Sequence, residues 1–63
     1  MKAQHMTRDE LLNAAQNMER YGGSFAESIA LALYRADAYN TLRLVAAFPD
    51  LFERYYNFGT ETV

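Results

Sequence analysis

Between residues 7 and 58 apolar side chains recur every three or four positions, and the pattern breaks only at a glycine pair, near Asp37 and at a proline. That is the period of a helix, and no stretch shows the two-residue alternation of a strand. The first helix is announced by Thr7-Arg8-Asp9-Glu10. This is a capping box: the Thr7 hydroxyl accepts from the Glu10 amide, and the Glu10 carboxylate reaches back to the Thr7 amide. Met6 and Leu11 hold the two positions of a hydrophobic staple. Leu11, Leu12, Ala15, Met18 and Tyr21 then make one apolar face, with Asn13, Gln16, Asn17 and Arg20 on the other. Residues 1–6 carry no such pattern and read as a disordered N-terminal tail.

Gly22-Gly23 stops this helix, because glycine reaches the left-handed conformation that closes a helix without steric cost. Ser24-Phe25-Ala26-Glu27 reads as a second capping box, and so short a link makes the two helices neighbours in a hairpin. In the second helix Phe25, Ile29, Ala32, Leu33 and Ala36 form one face, and Ala26, Ala30, Leu31 and Tyr34 widen it. Asp37 either continues that helix or caps a new one starting at Ala38, with a break the favoured reading. Leu42 and Leu44 to Phe48 carry the pattern on to Pro49, whose ring suits the first turn of a further helix. That last helix runs to about Asn57, and Leu51, Phe52, Tyr55, Tyr56 and Phe58 coat two of its faces. Residues 59–63 read as a flexible C-terminal tail. The expected fold is all-α: a helical hairpin with an additional short C-terminal helix, in a single domain spanning residues 7–58.

Composition adds a constraint. A chain of 63 residues sits at the size where one core barely stabilises itself. It has no cysteine, hence no disulfide and no thiolate metal site, and its single histidine, His5, does not make a metal site alone. No cofactor is expected. Association is what remains to supplement the core, so the chain reads as a dimeric helical bundle or a partner-binding module. Five tyrosines and four phenylalanines are many large rings for so small an interior. Some belong at an interface, where a tyrosine ring buries area and its hydroxyl still finds a partner.

The net charge of −2 argues against holding nucleic acid by its phosphates, since that affinity comes from lysine and arginine displacing counterions. A helix-turn-helix-like nucleic-acid-binding module is therefore the alternative and not the first reading. No apolar run approaches the roughly 20 residues that span a bilayer, and a cytoplasmic location is expected. An enzyme would need a nucleophile beside a base, or paired carboxylates in a cleft, and neither pattern is present.

The candidate protein-binding residues are Tyr34, Phe52, Tyr55, Tyr56 and Phe58. Phe48, Phe52 and one of the paired tyrosines also suit the core. Adjacent helical positions point about 100° apart, so Tyr55 and Tyr56 cannot both face it. Arg35, Asp37, Arg43, Glu53 and Arg54 read as a solvated face whose ion pairs contribute little. Binding is expected on the apolar excess after Pro49 and on whichever face of the second helix the hairpin leaves uncovered.

Gly22-Gly23-Ser24-Phe25-Ala26, then Ala36-Asp37 with Asn40, then Phe48-Pro49 with Phe52-Glu53-Arg54-Tyr55 form the pattern GGSFA, ADxxN, FPxxFERY. The chain in this respect resembles a family of small early proteins of lambdoid phages, encoded between the exonuclease and excisionase genes. The resemblance covers roughly residues 21–56, and its motifs are turns, caps and a proline boundary, not chemistry. It implies an accessory protein in the host cytoplasm that binds a host or phage regulatory protein and modulates the choice between lysis and lysogeny, or host physiology. The family offers no catalytic residues to carry over. Tyr34 departs from it, standing where a tryptophan is expected, which bears only on packing.

Overall fold

A computed structural model describes residues 2–58 of the chain. A single 3-10 turn at Ala3–His5 precedes four helices: α1 (Arg8–Tyr21), α2 (Gly23–Arg35), α3 (Ala38–Ala47) and α4 (Pro49–Tyr55). The fold is all-α, and no strand occurs among the described residues. The tail expected at residues 59–63 lies outside them.

α1 begins as its sequence dictates. The Glu10 amide donates to Thr7 Oγ1 at 3.2 Å, and the Thr7 amide donates to Glu10 Oε1 at 2.8 Å. Both staple residues, Met6 and Leu11, are buried. The second capping box does not form. α2 starts at Gly23 with no side-chain cap, and Ser24 is already helical, its carbonyl accepting from Ser28 Oγ at 3.0 Å. Gly23 is the reason: at φ +79° it reverses the chain in one residue, which leaves no extended position for a capping serine. Gly22 is as constrained. A Cβ added there would stand 2.5 Å from Ala26 Cβ and 2.6 Å from the Met18 carbonyl oxygen.

α1 is the hub, sharing its widest interface with α2 and the next widest with α4. Three large side chains are fully buried: Met18 from α1, Leu33 from α2 and Phe52 from α4. Ala14, Ala15, Ala26 and Ala30 are buried beside them, and such small side chains let two helices come close. Phe25 and Tyr21, placed by periodicity on the inward faces, lie largely in solvent at the hairpin turn.

The expected N-terminal tail is corrected by the structure over residues 2–6. Ala3 and Met6 are buried, and the Ala3 amide donates to Glu53 Oε2 at 2.9 Å. Side chains three positions apart eclipse on a 3-10 turn, so these two present one apolar face. The motif is too short to register as a periodic pattern.

The break at Asp37 forms. α2 ends at Arg35, and Asp37 caps α3 by accepting from the Asn40 amide at 2.8 Å. α3 buries only Thr41 and Val45, with Leu44 and Phe48 partly covered. Phe48 leaves helical geometry (φ −131°, ψ 51°), as the residue before a proline tends to, and Pro49 opens α4. α4 stops at Tyr55, two residues before the expected Asn57.

The tightness of the hairpin turn can be measured. Gly22→Ala should lower the unfolding free energy by about 1–3 kcal/mol in a urea titration, as overpacking does in other cores. A neutral substitution would show that the two helices are not held as closely as described.

Candidate protein-binding surface

The five candidate residues do not form one surface. Tyr34 is half-buried and pinned to α1, its hydroxyl donating to Glu19 Oε1 at 3.0 Å. Burial, and then the hydrogen bond and charge of Glu19, push its pKa up to about 12. Phe52 is 0% exposed and belongs to the core. Helical spacing in α4 identified the apolar positions but not which of its two apolar faces turns towards α1.

Tyr55, Tyr56 and Phe58 dock the end of the described chain onto α1. The Tyr55 carbonyl accepts from Asn17 Nδ2 at 2.9 Å, and the Asn57 amide donates to Asn13 Oδ1 at 2.8 Å. The Tyr56 hydroxyl donates to Glu10 Oε2 at 3.4 Å. Glu10, Asn13 and Asn17 are three and four residues apart, one stripe of α1. The sequence puts the two asparagines on the face opposite the apolar one, and there they hold the carbonyl and amide groups where α4 ends. α4 stops early because Tyr56 is already extended (φ −61°, ψ 125°), and Asn57 then turns left-handed (φ 56°). Phe58 lies between Tyr21 and Tyr55, with ring centroids 5.2 and 5.1 Å away. The three aromatic residues are thus spent largely on contacts within the chain.

The open apolar surface is elsewhere. On α3, Leu42 is 69% and Tyr39 68% exposed, and Ala46 is exposed on the same side. Leu42 and Ala46 border a groove whose other walls are Ala3, Gln4, Met6, Leu11, Thr41 and Val45. From Ala46 the surface continues into a second groove of about 550 Å³, formed by Ala47, Phe48, Pro49 and Leu51 with Phe25. Phe25, 59% exposed, stands edge-on to Phe48 at 5.7 Å. Leu42 and Phe25 belong to the apolar pattern of the sequence, and Tyr39 does not stand out in it. The signal was available: a cap at Asp37 restarts the helical phase, and Thr41, Leu44, Val45 and Phe48 then take the inward face, which leaves Tyr39, Leu42 and Ala46 outside.

The charged residues divide. Asp37 is a cap and Glu53 an anchor for the Ala3 amide, so neither is simply solvated. Arg43 lies over the Tyr39 ring at 5.5 Å and donates to Asn40 Oδ1 at 3.2 Å. Arg8 donates to Thr41 Oγ1 at 3.3 Å beside Leu42. Arg54 and Asp50 border the Phe25 groove, and Arg35 borders a groove between α2 and α3. Among the described residues no three His, Cys, Asp or Glu side chains gather as a metal site would require. No described helix is long and apolar enough to cross a membrane. No family model, curated protein or solved structure matches the chain.

The Tyr34 contact predicts a pH dependence. Its pKa rises from 10.0 in the unfolded chain to about 12, so the folded state holds the proton more tightly. The resulting stability is complete below pH 10 and is lost as pH rises through about 12. The unfolding free energy of the wild type should therefore fall relative to that of Tyr34→Phe across this window. Parallel curves would show that Glu19 and burial do not hold the hydroxyl.

Proposed function

We propose that this chain is a phage early accessory protein that acts in the host cytoplasm by binding a regulatory protein of the host or the phage. It performs no catalysis, and its binding shifts the choice between lysis and lysogeny or alters host physiology. The observation that carries the binding role is the apolar strip of α3, where Tyr39 and Leu42 stand in solvent and lead to the groove at Phe25. A contiguous exposed apolar surface on a small protein is characteristic of an interaction site. The phage setting rests on the resemblance of the GGSFA, ADxxN and FPxxFERY pattern. The homodimer expected from chain length is not required by this reading.

The nucleic-acid alternative has less support. α2 balances Glu27 against Arg35, and α3 carries Arg43 alone, so neither is the strongly basic helix that phosphate binding favours.

The reading is tested by affinity capture from phage-infected cells with the wild-type chain and with a Tyr39→Ser, Leu42→Ser double variant. Circular dichroism should show the variant to be as helical as the wild type, because both side chains are exposed. The expected result is one host or phage regulatory protein enriched by the wild type and lost with the variant. Recovery of the same proteins by both chains, or of none by either, would sink the proposal.

A further inference from the structure

We infer that the α3 strip is a docking site for an acidic amphipathic helix of a partner protein; the inference rests on the protein-binding reading above and gives the partner its chemistry. Its first support is charge. The chain carries a net charge of −2, yet the grooves around α3 are bordered by Arg8, Arg35, Arg43 and Arg54 against one carboxylate, Asp50. Asp37, at the start of α3, turns its carboxylate to the Asn40 amide. An apolar surface rimmed by guanidinium groups in an acidic protein is complementary to an apolar surface rimmed by carboxylates. Arginine suits that pairing, because its planar fork binds a carboxylate through two parallel hydrogen bonds.

The second support is shape. Tyr39, Leu42 and Ala46 are spaced three and four apart along α3, with a groove on the Met6 and Leu11 side and another beside Phe25 and Phe48. A second helix laid along α3 would place side chains at i, i+3 or i+4, and i+7 into these grooves. A leucine or phenylalanine fits the 550 Å³ groove next to Phe25. Two copies meeting face to face through this strip would instead oppose arginine to arginine. A nucleic acid backbone would meet the arginines but leave Leu42, Ala46 and Phe25 without an apolar partner.

The test titrates the full, 15N-labelled chain at low salt with two synthetic amphipathic peptides of about 18 residues, or five helical turns. Both carry one leucine and phenylalanine face; one is flanked by glutamate and the other by lysine. The glutamate peptide should shift the amides of Tyr39, Leu42, Ala46 and Phe25 and bind at least about tenfold more tightly than the lysine peptide. An Arg43→Glu, Arg54→Glu variant, whose amide spectrum reports an intact fold, should lose that preference. Tighter binding of the lysine peptide, or shifts confined to other elements, overturns the inference while leaving a protein-binding role intact. The inference also fails if neither peptide binds, whether sedimentation then finds a monomer or a dimer with protected α3 amides.

Discussion

Among the described residues, Met18, Leu33 and Phe52 are the three large side chains removed completely from water, and each comes from a different helix. Burying a side chain of this size stabilises by about 1.5–3 kcal/mol, so together they outweigh any single surface interaction in the chain. They also fix the layout. α1 must lie between α2 and α4 for its methionine to share one core with Leu33 and Phe52, and the alanines at 14, 15, 26 and 30 allow the required approach. α3 supplies none of the three. It is held at its ends, by the Asp37 cap and the Pro49 boundary, and by the burial of Thr41 and Val45. Its outer face, with Tyr39 and Leu42, is left to solvent.

The local chemistry of the fold was readable from the sequence. The Thr7 box, the Gly22-Gly23 turn, the Asp37 cap and the Pro49 start each depend on a few adjacent residues, and each forms where the residue types require. What could not be read depends on partners distant in the chain. Asn13 and Asn17 resemble any exposed amides until the end of α4 is placed against them. Glu53 resembles a solvated acid until the Ala3 amide reaches it. Ser24 failed as a cap for a different reason, since a geometric fact about Gly23 removed the extended position it needed.

The aromatic residues illustrate the same division. Their number pointed to an interface for some of them, but number does not say which of them the core leaves out. Phe52 went inside, Tyr55, Tyr56 and Phe58 were committed to α1, and Tyr39, Phe25 and Tyr21 are the rings at least half exposed. For Tyr39 the phase along α3 decides this, and the phase is set by Asp37. A short polar residue that contributes almost nothing to the core thereby selects which apolar side chains face outward.

The bond from the Ala3 amide to Glu53 joins residues 50 positions apart, whereas most contacts in a helical fold are local. Closing so long a loop carries an entropic cost, which the burial of Ala3 and Met6 helps to offset. The first turn of the chain thus depends on residues at the far end of the fold for its place. One hydrogen bond and two small apolar contacts thereby tie the two ends of the described chain together.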